Sequence, residues 1–280
     1  MKLLFLILAA TVFAHGQETP DVEAIMSQVG INQAKAQELR GQYVYTQKQL
    51  LRFVRANGKI AREERREYLV TPRLHKTRKE LVHFEGKYIE HGQAFAFDKP
   101  HYEHKGLDLD AELIDDMSQD MTNDGKARDG IGRDLFPLTY HQQLKYTFQL
   151  LGTETYQGRE VYRVSFVPKP HMEDANWKGQ ALIDKAELQP VVVTTDLAFK
   201  MPLLVKTLLG TNIKGLGFTL TYQKFEDGVW FPVTYGGEFE VRGVFVYRRT
   251  MSISMTNSDF HKLDVNSTIA YETEGKSEDK

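Results

Sequence analysis

Four histidines, His83, His91, His101 and His104, lie within one stretch that also carries Glu85, Glu90 and Glu103, so metal ligation is the first chemistry to consider. A zinc site brings three or four ligands together, usually as one tight pair and a second pair downstream. His101 and His104 make one loose pair and no second pair follows, so these histidines read as surface residues and no metal is expected. Asp120, Thr122, Asp124 and Gly125 match the first half of a helix-loop-helix calcium loop. The twelfth position, which needs a bidentate glutamate, is Ile131, and the match fails there. The chain has no cysteine, which removes thiol catalysis. It has no Gly-x-Ser-x-Gly elbow, no phosphate-cradling glycine loop and no His-Glu-x-x-His. The expectation is therefore a protein without catalytic residues and without a cofactor, not an enzyme.

Charge gives a second test. Arg52 to Lys79 is rich in Arg and Lys, a stripe that could make a peripheral contact with anionic lipid or an acidic partner. Glu63, Glu64, Glu67 and Glu80 interleave with it, which predicts a mixed, solvated face. Nucleic acid is excluded as the main partner, because the net charge is −2 and the pI near 6.5.

The elements that would position any site are mostly strands. Asp21 to Gln42 carries Val22, Ile25, Met26 and Val29 at helical spacing behind Pro20 and a capping Asp21, and Gly30 could break it into two helices. From Tyr43 the period becomes two, and Asn57-Gly58 is a tight hairpin signal returning the chain through Ile60 to Val70. Arg62 to Glu67 is charged at every position, which suits a solvated edge or surface strand, with a helix as the alternative. Leu74 to Phe84 predicts a third strand ending at Glu85-Gly86, and Lys87 to Phe97 a fourth. Asp108 to Asp120 reads as an acidic helix within an insertion at about 107–130. Further strands are expected at Leu144–Leu150, Tyr162–Phe166, Gly179–Asp184, Pro190–Asp196, Leu216–Phe225, Val229–Thr234, Glu238–Tyr247 and Arg249–Phe260. Such short connections demand antiparallel neighbours. Lys200 to Lys214, with Met201, Leu203, Leu204, Leu208 and Leu209, reads as a connecting helix or an apolar flap.

Met1-Lys2, the apolar run Leu3 to Phe13 and the small residues Ala14 and Gly16 have the three-part pattern of a secretory signal peptide cleaved near Gly16. The run is shorter than the about 20 residues a membrane-spanning helix needs. The expected organisation is thus a signal peptide over 1–16, a single domain over 17–265, a disordered polar tail over 266–280, and export to the periplasm.

Together these features predict a mainly β (α+β) fold: one large curved antiparallel sheet, a half-barrel, with an N-terminal helix and helical segments covering its concave face. An apolar concave face binds acyl chains by area, at about 0.8 kcal/mol per buried methylene. The residues expected to line it are Phe148, Tyr162, Phe166, Phe218, Tyr222, Phe239 and Phe245, and the expected partner is a lipid or lipidated ligand. The alternative is an envelope interaction or sensor module whose concave face is filled by its own helices.

Several motifs also resemble a known family. Tyr43-Val-Tyr-Thr-Gln47 follows a helix, and Leu150-Leu-Gly-Thr-Glu-Thr-Tyr-Gln-Gly158 turns into Val161-Tyr-Arg-Val-Ser-Phe166. Trp177-Lys-Gly-Gln-Ala-Leu-Ile-Asp184 precedes Gln189-Pro190, and Phe225-Glu-Asp-Gly-Val-Trp-Phe-Pro232 continues the pattern. From Pro20 to Leu263 the chain resembles the LolA/LolB-like superfamily of outer-membrane lipoprotein carriers and sorting proteins. That resemblance implies a helix-plugged half-barrel sheltering acyl chains in the periplasm, with a part in lipoprotein sorting. The chain is longer than the carrier proper, and Gly106 to Arg128 matches no part of it.

Overall fold

The computed structural model describes residues 20–72, 77–104, 108–114, 136, 139–172, 175, 177–198, 212–215, 217–225, 227–242 and 247–263. The expected signal peptide, most of the acidic insertion, most of the apolar segment 200–214, the polar tail and Phe245 lie outside these residues.

Helix α1 spans Val22–Arg40 without a break, so Gly30 does not divide it. The Asp21 carboxylate accepts a hydrogen bond from the Glu23 amide at 3.0 Å, capping one of the first-turn donors. Strands follow in hairpin succession: β1 (Tyr43–Arg55), β2 (Ile60–Thr71), β3 (Arg78–Glu90) and β4 (Gln93–Phe97). After helix α2, described over 109–114, and α3 (Tyr140–Gln143) come β5 (Tyr146–Tyr156), β6 (Arg159–Pro168), β7 (Trp177–Asp184) and β8 (Pro190–Leu197). The last are β9 (Asn212–Lys214), β10 (Gly217–Lys224), β11 (Trp230–Arg242) and β12 (Arg248–Lys262).

All pair antiparallel in one curved sheet that does not close into a barrel, in the order β4-β3-β2-β1-β12-β11-β10-β8-β7-β6-β5, with β9 beside β11. Gly58, Gly158 and Gly228 take φ of +80°, +78° and +84°, the left-handed geometry their hairpin turns require.

Two glycine positions correct the expected strand ends. Gly86 is not a terminus: β3 runs on to Glu90, and the two-residue turn is His91-Gly92, with φ of 48° and 83°. Gly236-Gly237 does not separate two strands but lies inside β11. In both cases the neighbouring strand occupies the space a side chain would take. A Cβ on Gly86 would lie 2.0 Å from the Phe97 ring, and one on Gly237 would lie 2.2 Å from the Gly217 carbonyl oxygen and 2.6 Å from the Phe218 ring. Each glycine marks a close approach of the adjacent strand.

A third correction concerns β2. It is an interior strand between β1 and β3, and Arg62, Glu64 and Arg66 are buried on its covered face; on the outer face Arg65 is exposed and Glu67 half-buried, while Glu63 is buried beneath its cationic neighbours. The solvated-edge expectation fails because strand alternation sends every second charge to the covered face.

Candidate ligand-binding face

Register fixes which side chains share the covered face. One row crosses ten strands as Phe84, Arg66, Gln49, Met255, Tyr235, Leu220, Val193, Ala181, Val164 and Leu150. In a parallel row, Thr195, Gly179, Phe166 and Phe148 continue from Phe218 to the β5 edge. The inner face therefore has two chemistries. From β5 to β12 it is largely apolar and aromatic; on β1 and β2 amide and ionic side chains enter it, beside Leu51, Phe53 and Ala61, which stay in the apolar cluster.

The apolar part holds most of the expected lining residues. Phe148 and Phe166 are directly opposed across β5 and β6, and Phe218, Tyr222 and Phe239 are buried in the same cluster. Tyr162 is half-buried and packs on it, with the Lys185 ammonium 5.5 Å from its ring centroid. Phe218 stacks on Tyr235 at 5.0 Å, and Trp177 meets Phe218 edge-on at 5.4 Å. Tyr235, Trp177 and the β12 residues Met251, Ile253 and Met255 were not singled out from the sequence. The alternation of Met251, Ile253 and Met255 was the available signal. Among the described residues the Tyr235 hydroxyl has no hydrogen-bond partner, and burial pushes its pKa well above the ordinary tyrosine value.

Ile25, Met26 and Val29 of α1 join this cluster, as do Leu113, Ile114 and Phe136. The helix is held by polar ties at its flank. Asn32 donates to the Glu187 carbonyl at 2.8 Å, Arg40 to the Trp230 carbonyl at 2.7 Å, and Gln143 to the Met26 carbonyl at 2.8 Å. At Trp230 the indole Nε1 donates to Glu187 at 2.9 Å, and Lys224 pairs with the same carboxylate at 2.8 Å. Burial would raise the Glu187 pKa, but these two donors hold it below the usual range.

The ionic part is internally neutralised. Glu64 accepts from Arg62 at 2.9 Å and from Arg66 at 2.5 Å, and Arg62 also bonds Asp108 at 2.9 Å. Beside it runs an amide chain in which Gln49 donates to Gln47, Gln47 to Asn257, and Asn257 to the Pro232 carbonyl. Past Arg62 a polar cleft of about 250 Å³ contains Tyr88, Glu90, His104, Asp110, Tyr247 and Arg249. His104 lies 2.7 Å from the Tyr88 hydroxyl and 3.0 Å from Glu90, while Tyr247 donates to Asp110 at 2.6 Å. Burial, and secondarily the Asp110 charge, raises the Tyr247 pKa. Such tightly paired groups brace one another and leave little charge in excess for a ligand.

The histidines are dispersed. His83 lies 3.1 Å from Glu85 on an exposed strand, His91 is in a turn, and His104 faces the polar cleft. Among the described residues no three His, Asp or Glu side chains converge as metal ligands would. On the outer face, Glu63 is ringed by Arg52 at 2.6 Å, Lys87 at 3.1 Å and Arg65 at 3.2 Å. Burial alone would raise its pKa; the Arg52 and Lys87 cations outweigh it and pull the carboxyl down to about 2. No helix among the described residues is long and apolar enough to cross a membrane.

No family model and no curated protein matches the chain. Solved structures do. A domain assigned to outer membrane lipoprotein sorting from Vibrio parahaemolyticus is 15% identical, covers 86% of this chain and 96% of its own, and has a TM-score of 0.40. A DUF1329 family protein from Desulfovibrio piger is 12% identical over 90% of this chain and 97% of its own, at 0.42. A LolA superfamily protein from Nitrosomonas europaea is 12% identical over 88% and 94%, at 0.35.

Proposed function

We propose that this chain is an exported periplasmic binder or carrier of lipid-like ligands, which shelters acyl chains against the apolar part of its inner face. The observation that carries the reading is the aromatic and aliphatic cluster that extends from Phe148 and Phe166 through Phe218 and Tyr222 to Phe239 and Met251. Among the described residues Ile25, Met26 and Val29 of α1, with Leu113, Ile114 and Phe136, lie over this band, and an acyl chain would take their place against it. A part in outer-membrane lipoprotein sorting is the more specific form of the same proposal.

The test is direct. Delipidated protein titrated with a fluorescent fatty acid is expected to show saturable binding in the micromolar range or tighter, and native mass spectrometry of protein from its own host should show a co-purifying lipid. A flat titration together with a ligand-free mass would overturn the proposal.

One observation favours the alternative of an interaction module with a filled interior: Phe166, Phe218 and Phe239 are already buried by the chain itself. On that reading the outer surface around Arg65 would carry the contact, since Arg66 is buried and unavailable. Charge reversal at Arg65 would then abolish capture of an envelope partner while leaving fatty-acid titrations flat.

A further inference from the structure

Strand β3 is covered unevenly along its length. Gly86–Glu90 pair with β4, whereas among the described residues Arg78–Glu85 pair only with β2 and leave their other side as sheet edge. Within this stretch Lys79 and Phe84 are half-covered and the rest are exposed, Leu81 at 38% and Val82 at 55%. A bare edge presents unpaired peptide groups to any strand that meets it, and sheets usually guard such edges with charges that reject a like strand.

The charges here do not reject a copy. Within one chain Arg78 pairs with Glu80 at 3.3 Å and His83 lies 3.1 Å from Glu85. Laid antiparallel to itself about a two-fold between Leu81 and Val82, the segment brings Arg78 opposite Glu85 as an opposite-charge pair, Glu80 opposite the His83 ring, and Leu81 opposite Val82. The faces agree as well. Arg78, Glu80, His83 and Glu85 face the same way as Thr71, Leu69, Glu67 and Arg65, their partners on β2. Lys79 and Phe84 face the opposite way, alongside Val70 and Arg66, and would meet each other. The register shift at Val82 makes this possible: it places Glu80 and His83, three apart in sequence, on one face, and it falls on the two-fold itself. Opposite charges directly across antiparallel strands stabilise the pairing, and like charges oppose it.

A second feature lies at the end of the edge. Where β4 departs, a cleft of about 780 Å³ is lined by Glu63, Glu85, Phe97 and Asp98 among others. In this arrangement it receives Arg78 of the second copy beside Glu85 and Asp98.

We infer that two copies of this chain associate edge to edge along Arg78–Glu85, joining their sheets across a two-fold axis. The contact is isologous, so it closes at a dimer. A single strand edge buries less than the about 1,200 Å² of a stable interface, so association is weak and concentration-dependent.

Sedimentation velocity on the full chain, over roughly micromolar to millimolar protein, tests this. A monomer–dimer equilibrium is expected, with Glu80→Arg shifting its midpoint at least tenfold toward monomer. Arg78→Glu should weaken it similarly, and Arg78→Glu combined with Glu85→Arg should restore it. Because the chain has no cysteine, register can be tested separately in protein that circular dichroism shows to be folded. Mixing Glu80→Cys with His83→Cys chains should give a disulfide-linked dimer under mild oxidation, while Glu80→Cys alone should not. A monomer at every concentration, or cross-linking of Glu80→Cys alone as efficient as the mixture, would overturn the inference.

Discussion

The guanidinium carbon of Arg62 on β2 lies 4.6 Å from the centroid of the Phe97 ring on β4, and the same ring fills the space above Gly86 on the strand between them. One aromatic side chain thus both covers a buried cation and replaces the side chain that Gly86 lacks. Gly86→Ala is expected to destabilise the protein by about 1–3 kcal/mol, the range for overpacking a filled site. Urea denaturation would measure this. Adding Phe97→Leu should recover part of the loss, because the new methyl then meets a smaller neighbour; a strictly additive double variant would argue against ring displacement.

The buried Arg62–Glu64–Arg66 group predicts an asymmetry between breaking and replacing. Glu64→Gln leaves two buried guanidinium groups without their shared counter-charge and should cost about 3–5 kcal/mol. Replacing all three with Met, Leu and Met, together with Asp108→Asn because Asp108 also pairs with Arg62, removes the desolvation penalty along with the attraction. That combined variant should be more stable than Glu64→Gln alone by equilibrium unfolding. The reverse order would mean that the group stabilises the fold beyond its mutual compensation.

Glu63 should make stability depend on acid pH. Its folded pKa of about 2 lies below the ordinary carboxylate value of 4.5, so its contribution is present above pH 4.5 and is lost as pH falls toward 2. Discounted for the solvent contact of Arg52 and Lys87, the contribution is about 1–3 kcal/mol. Glu63→Gln should therefore lower unfolding free energy at pH 7 and converge with the native protein near pH 2. Parallel pH curves for the two would remove the assignment.

Trp177 offers an optical test of the ligand face. It is half-buried against Phe218, and the chain holds two tryptophans, so Trp230→Phe leaves it as the single indole. A brominated fatty acid seated on the apolar band should quench that fluorescence in a saturable way, whereas brominated glycerol at equal bromine concentration should not. Equal quenching by both would place the acid in bulk contact instead of on the sheet.

Much of the architecture was legible because it depends on local rules. Alternation in Tyr146–Leu150 and Tyr162–Phe166, and left-handed turn glycines at 58, 158 and 228, state their geometry within a few residues. The failures share a non-local cause. Gly86 and Gly237 read as chain breaks until the ring beside each is known, and that ring comes from another strand. Arg62, Glu64 and Arg66 read as solvent-facing because composition does not reveal that β1 and β3 flank them or that Phe84 and Phe97 lie over them. For the candidate site, alternation identified Phe148, Phe166, Phe218, Tyr222 and Phe239 as sharing a covered face, but not Tyr235 or Trp177, whose place depends on Phe218.

The pairing of β1 with β12 spans from Tyr43–Lys262 to Arg55–Arg249 and is the one ladder that ties the β1–β4 hairpins to the remaining strands. Every other neighbour in the sheet forms from nearby sequence, but this seam must wait for residues some two hundred positions later. Assembly should consequently proceed as two separate meanders that are stitched last and slowly, as expected of widely separated contacts. While the seam is open, the facing edges of β1 and β12 stand bare, which is when a nascent molecule of this kind is most exposed to capture by chaperones or to clumping with its neighbours.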